Sequence, residues 1–221
     1  MQMGELRVGA PVAVGYEAIP AAGTGPGVLV LHAWWGLNDV FRGLCDRLAA
    51  EGFVAVAPDL WGGAVATTVD EAEGLIRQGD GATMFQAASD ALAHLRSHPA
   101  VRGSGLGAIG FSMGAAWALS LAGVRPELRA VTLFYGNGEA DFTAARAAFL
   151  CHFAENDPWE PDEGVRALED ALRAAGREAQ VHRYPGASHW FFEEDRPDAY
   201  NPEAAALAWE RTLAFLRERL A

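Results

Sequence analysis

The sequence predicts an α/β fold, with a mostly parallel central sheet flanked by helices on both faces. Three observations carry that prediction. Apolar runs of strand length alternate with longer stretches of helical period along most of the chain. The apolar run Leu106–Ile109 enters a glycine-flanked turn, Gly110-Phe111-Ser112-Met113-Gly114, and an apolar helical stretch from Ala115 leaves it. No Gly-, Ser- or Pro-rich linker divides the 221 residues, 51% of them hydrophobic, so one domain over 1–221 with a sizeable core is expected.

The elements follow in order. Leu6 to Ala18 alternates like a hairpin-forming pair of edge strands, and Gly25-Pro26-Gly27 then interrupts the chain. Val28–His32 reads as a central buried strand. Asn38 to Glu51 has helical period through Val40, Leu44 and Leu48, with Asn38 placed to cap it. Phe53–Ala57 is the next strand, closed by Pro58-Asp59. Trp61 to Gly81 is the least regular stretch and reads as a loop with a short helix near the strand ends. Thr83–Arg96 is a helix, Leu106–Ile109 a strand and Ala115–Ala122 a helix. Ala130–Tyr135 and Phe149–Ala154 are further strands. Asp162 is placed to cap the helix Glu163–Ala175, which Gly176 stops. Ala179–Tyr184 is the last strand and Pro202–Leu220 the closing helix. The short connections leave little room for a lid domain.

Composition excludes several functions. The net charge of −12 argues against nucleic acid and anionic membranes as partners, because phosphate binding needs a concentrated basic surface. The chain contains no lysine, which rules out Schiff-base chemistry and a P-loop. The first twenty residues lack a basic segment followed by an apolar one, and no apolar run reaches about 18 residues, so neither a signal peptide nor a membrane span is expected. Cys45 and Cys151 read as reduced, buried residues of a cytoplasmic protein. No Cys or His spacing suggests zinc, and no cofactor is expected.

The chemistry gathers around Ser112. A strand, a Gly-x-Ser-x-Gly turn and a helix make a nucleophile elbow, which lifts a serine Oγ clear of the sheet. Such a serine needs a base, and the base an orienting carboxylate. On this fold they follow in the order Ser, Asp or Glu, His, which is the α/β-hydrolase arrangement. After the strand Phe149–Ala154 comes Glu155-Asn156-Asp157-Pro158. Asp157, short and flanked by proline, is the choice for the acid, with Glu155 the alternative. After the last strand, Pro185-Gly186-Ala187-Ser188 leads to His189, the candidate base. Of the other histidines, His94 and His98 lie on or beside a helix, and His152 and His182 lie within strands. The oxyanion hole needs two backbone N–H groups, expected from Met113 and Trp34, with Gly36 letting the second loop turn. Aromatic residues crowd the same loops. Trp35, Phe111, Trp159 and Trp190, with Arg196, are the expected substrate-binding residues of an apolar pocket.

From about Val28 to Leu220 the chain resembles the dienelactone hydrolase family. The matching pieces are Leu31-His32-Ala33-Trp34-Trp35-Gly36-Leu37-Asn38, the segment Gly52 to Leu60 with its Ala-Pro-Asp-Leu ending, the elbow, Asn156-Asp157-Pro158, His189-Trp190-Phe191, Arg196-Pro197 and the tail Ala206 to Leu216. The resemblance implies a lidless α/β-hydrolase that cleaves lactones or small esters without a cofactor. Its best-known members carry a cysteine nucleophile and a glutamate in the loop after the strand that ends at His32. Here Ser112 and Ala33 stand at those places. The two changes agree, since a thiol must become a thiolate before attack, whereas a serine loses its proton to histidine during attack. The family's anion-binding arginine shortly after the histidine is missing. Glu193, four residues on, is expected to repel an anion, and Arg196 and Arg77 remain as candidates for that role. The expected activity is a serine hydrolase acting on small esters or lactones through an acyl-enzyme. Two alternatives are a true dienelactone hydrolase (carboxymethylenebutenolidase) of aromatic degradation and a non-catalytic ligand-binding protein on the same fold. A monomer or small homo-oligomer is expected.

Overall fold

The computed structural model describes residues 8–220. In chain order the elements are β1 (Val12–Ala18), β2 (Gly27–Leu31), α1 (Asp39–Ala50), β3 (Val54–Asp59), α2 (Val69–Gln78), α3 (Gly81–Ser97) and β4 (Leu106–Phe111). These are followed by α4 (Met113–Val124), β5 (Leu128–Phe134), β6 (Ala148–Asn156), α5 (Asp162–Ala174), β7 (Ala179–Ser188) and α6 (Pro202–Leu220). The strands form one sheet in the order β1-β3-β2-β4-β5-β6-β7. Every pairing is parallel except that of β1 with β3. Helices α1 and α6 pack on one face, α3 and α4 on the other, and α5 rests against β7. No lid domain occurs among the described residues.

The central strands are buried on both faces, which is why they read as continuous apolar runs. The expected N-terminal hairpin is not formed among the described residues. The described part of Leu6–Ala18 contains the single strand β1, and residues 1–7 lie outside the described residues. β1 pairs antiparallel with β3 and has a register shift between Val12 and Tyr16. Gly15 sits in that irregularity, where a Cβ would lie 2.8 Å from the Asp59 side chain. Alternation in sequence is the same whether a strand pairs with its neighbour or with a distant edge.

Asn38 caps α1, its Oδ1 accepting the Phe41 N–H at 3.3 Å. Asp162 does not cap α5. Pro161 holds the cap position, and Asp162 opens the first turn, paired with Arg183 at 2.7 Å. Its charge there still favours the helix through the macrodipole. Both cysteines are free and buried, and burial pushes their thiols up to about 12. No helix among the described residues is long and apolar enough to cross a membrane.

The strand order places β2 between β3 and β4, so the connections after β2 run to opposite sides. In such sheets the crevice at the carboxyl ends of the strands receives ligands. The loops that leave β2 and β4 there carry Trp34 and Ser112.

Candidate active site

The elbow is dictated by close backbone packing. A Cβ on Gly110 would lie 2.3 Å from the Gly114 carbonyl oxygen, and one on Gly114 would lie 2.2 Å from the Leu31 oxygen. Only glycine fits either position. The turn forces Ser112 to φ 49° and ψ −113°. Among the described residues only two other non-glycine residues have positive φ, Tyr135 (36°) and Trp190 (65°). Trp190 follows His189, and the Tyr135 ring packs on the His189 ring at 5.0 Å. Conformations of this kind cost about 1–3 kcal/mol each and persist where surrounding structure imposes them. All three therefore sit around one imidazole.

The structure brings Ser112, His189 and Asp157 together from three separate loops. Ser112 Oγ lies 3.0 Å from His189 Nε2. His189 Nδ1 lies 2.8 and 2.9 Å from the two Asp157 carboxylate oxygens. Both side chains are nearly fully buried, 4% exposed for His189 and 2% for Asp157. Asp157 is held in turn by the backbone N–H groups of Trp159 and Glu160, which donate to its Oδ1 at 3.0 and 3.1 Å. A carboxylate accepting at Nδ1 fixes the imidazole tautomer that leaves Nε2 free to accept from serine. Glu155 is not at this site, since its carboxylate accepts the Gly186 N–H at 2.8 Å.

Met113 is the first residue of α4, so its N–H belongs to the unpaired first turn of a helix. The Trp34 loop is pinned by the Trp61 indole, which donates to the Trp34 carbonyl at 2.8 Å. Gly36 turns it at φ 98°, where a Cβ would meet the Ala64 oxygen at 2.3 Å.

A cavity of about 520 Å³ opens at this edge and reaches the site through His189. Trp35, Trp159, Trp190 and Arg196 line it, together with Thr67, Thr68 and Pro158. Trp34 joins the same cluster, stacked on Trp190 at 6.0 Å and edge-on to Trp159 at 5.1 Å. Trp159 is 47% exposed and forms the rim. Phe111 does not line the cavity. It is fully buried and stacked on Phe134 at 4.6 Å, because the residue before the elbow serine still belongs to β4 and points into the core.

Arg196 lies over the Trp35 ring, 3.7 Å from its centroid, and donates to the Thr67 carbonyl at 2.9 Å. A longer contact, 3.4 Å, joins it to Asp195, and its Nε has no hydrogen-bond partner. Arg77 is away from the cavity, paired with Glu73 on the exposed side of α2. Glu193 corrects another expectation. It does not face the cavity and repels nothing there, being fully buried and accepting the Tyr135 hydroxyl at 2.8 Å. Burial pushes its carboxyl up to about 8. No sequence pattern marked this Tyr135–Glu193 pair. Burial, reinforced by the Asp157 charge, likewise raises Glu160 to about 7.

Away from the site, Glu17, His94 and His98 place possible ligand atoms within 4.8 Å of one another. His98 Nδ1 accepts the Ala100 N–H at 3.1 Å, so its Nε2 carries the hydrogen and faces Glu17 as a donor. A metal at Nε2 would need the opposite tautomer.

The model of the dienelactone hydrolase family matches residues 14–220. The chain belongs to the dienelactone hydrolase family. Protein usf of Aquifex pyrophilus is 33% identical, over 99% of this chain and 99% of that one. An Aquifex aeolicus protein provisionally named carboxymethylenebutenolidase is 32% identical over the same shares of the two chains. The crystal structure of P91, described as a dienelactone hydrolase-like promiscuous phosphotriesterase from metagenomic libraries, superposes with a TM-score of 0.82. It is 30% identical and covers 90% of this chain and 88% of its own. This dienelactone hydrolase family member is therefore a hydrolase with the α/β-hydrolase fold.

Proposed function

We propose that the protein is a serine hydrolase of small carboxylic esters or lactones, working through an acyl-enzyme in a reducing cytoplasm. The observation that carries this reading is the hydrogen-bonded line from Ser112 Oγ through His189 to Asp157, set on a strained elbow. In the first half-reaction Ser112 Oγ attacks the substrate carbonyl carbon while its proton passes to His189 Nε2. The carbonyl oxygen becomes an oxyanion, held by the Met113 and Trp34 backbone N–H groups. Collapse breaks the ester C–O bond, and His189 returns the proton to the leaving oxygen. In a lactone that alcohol stays tethered to the acyl group. Water then attacks the acyl-enzyme by the same route in reverse order, freeing the acid and restoring Ser112. Asp157 stays ionised and stabilises the imidazolium that forms twice.

The tryptophan-lined wall suits an apolar or cyclic acyl group. A second reading, a true carboxymethylenebutenolidase, is favoured by one observation: the Arg196 side chain lines the cavity, and the substrate of that reaction carries a carboxylate. The test compares kcat/KM for a dienelactone and a short p-nitrophenyl ester, with Ser112→Ala as control. Turnover of the neutral ester, lost by about 10³-fold or more in the variant, supports the proposal. An unchanged rate in Ser112→Ala, or no labelling of Ser112 by a serine-directed phosphonate, sinks it. Preference for dienelactone by orders of magnitude selects the second reading.

A further inference from the structure

The opposite edge of the sheet holds a second cavity, of about 480 Å³, whose wall carries four guanidinium groups and one carboxylate. Arg129 lies at the start of β5, Arg146 just before β6, Arg177 just before β7 and Arg219 at the end of α6. Four segments distant in sequence thus bring their arginines to the amino ends of neighbouring parallel strands. This happens in a chain of net charge −12, where Arg77, Arg125, Arg173, Arg183 and Arg217 each sit against an acid.

In this cavity the charges are unbalanced. Arg219 contacts Glu178, the one acid in the wall, and Glu218 outside it at 3.3 Å, while its Nε has no acceptor. Arg177 donates to the carbonyls of Ala175 and Ala145, which orient it without neutralising it. Arg129 and Arg146 have no acidic partner among the described residues. Arg129, Arg146 and Arg177 are like charges at one cavity with no acidic partner of their own among the described residues, and an anion relieves the repulsion among them. The wall is also shaped for Arg129. Gly105 leaves space that the arginine stem fills, since a Cβ there would lie 2.3 Å from Arg129 Cγ.

We propose that this cavity binds a small anion carrying several phosphate groups, such as a short polyphosphate, independently of the serine site. Guanidinium groups supplied by four separate segments suit a multiply charged phosphate chain, which can engage more than one of them at once. The cavity is larger than a single phosphate needs. No aromatic side chain among the described residues lines it, so they offer no stacking platform for a nucleobase, which favours the phosphate chain itself.

The experiment is calorimetric titration of the whole protein with tripolyphosphate at about 150 mM salt, where loose surface attraction is screened. Saturable binding with one site per chain is expected. It should be roughly 10-fold or more tighter than sulfate binding, because more than one guanidinium contributes. Arg129→Ala/Arg146→Ala should weaken it by roughly 10-fold or more, with ester hydrolysis unchanged. Should that double variant fail to fold, the exposed Arg146→Ala alone should weaken binding several-fold. Gly105→Ala, which displaces the Arg129 stem, should do the same. Absence of saturable binding, equal affinity for sulfate, or undiminished binding by the folded arginine variants would overturn the proposal.

Discussion

Ser112, Tyr135 and Trp190 share a positive φ that their side chains disfavour, and all three border His189. Strain of that kind survives only where neighbours leave no alternative, and at the elbow those neighbours are backbone atoms. Gly114 shows how little room exists. Its missing Cβ would sit 2.2 Å from the Leu31 oxygen, in the middle of the sheet, where nothing can yield cheaply. Gly114→Ala is therefore expected to cost about 3 kcal/mol or to prevent folding, read as a large fall in Tm or loss of soluble protein. A variant that melts with the wild type would show that the elbow is looser than drawn. Asp157 tests a different property, orientation without bulk. Asp157→Asn keeps the size but presents an amide that can hold the wrong histidine tautomer. It should lower kcat by about 10³–10⁴ while KM changes little, measured on the neutral ester.

Among the elements, α2 links stability to the site. Thr68 caps it, accepting the Glu71 N–H, and the Glu71 carboxylate reaches back to the Thr68 and Thr67 N–H groups. The same turn forms a wall of the cavity and receives Arg196 at the Thr67 carbonyl. Thr68→Ala should remove about 1 kcal/mol of stability and raise KM several-fold with kcat retained, since the turn holds the wall and not the reacting atoms. An unchanged KM would separate this turn from substrate binding. This helix was legible, as the capping pattern Thr68-x-x-Glu71 stands in the sequence inside a stretch read only as loop and short helix. Most elements were legible for a simpler reason, because buried parallel strands and amphipathic helices leave different periods. The loops holding Ser112, Asp157 and His189 could be placed from chain order, since each follows a recognisable strand. What could not be read was side-chain direction at the ends of elements. Phe111 and Glu193 lie beside site residues in sequence yet point into the core, and β1 alternates without revealing that its partner is β3.

For the molecule as a whole, Glu193 makes stability depend on pH in a direction that can be worked out. Its carboxyl titrates at about 8 when folded and near 4.5 when exposed. Between those values the folded chain holds a proton that the unfolded chain releases, so stability falls as pH rises and levels off above about 8. Glu160, raised to about 7, acts in the same direction over a narrower window. Buried His152 and His32 act oppositely. Burial holds both below the ordinary histidine value of 6.5, so acid favours the unfolded chain and stability from them rises as pH climbs toward 6.5. The opposing groups leave one window, above 6.5 and up to about 8, where the buried glutamate dominates. Tm should therefore decline from about pH 6.5 to pH 8.5. Glu193→Gln keeps the size of the side chain and an oxygen to accept the Tyr135 hydroxyl, but has no proton to lose. Its Tm should be nearly flat across that window and exceed the wild type at the alkaline end. Calorimetric scans of both proteins in matched ionic strength decide the matter. A wild-type Tm that holds steady through pH 8.5, or a variant that declines just as steeply, would mean that Glu193 is already ionised at neutral pH. The buried Tyr135–Glu193 pair beneath His189 would then carry a full negative charge.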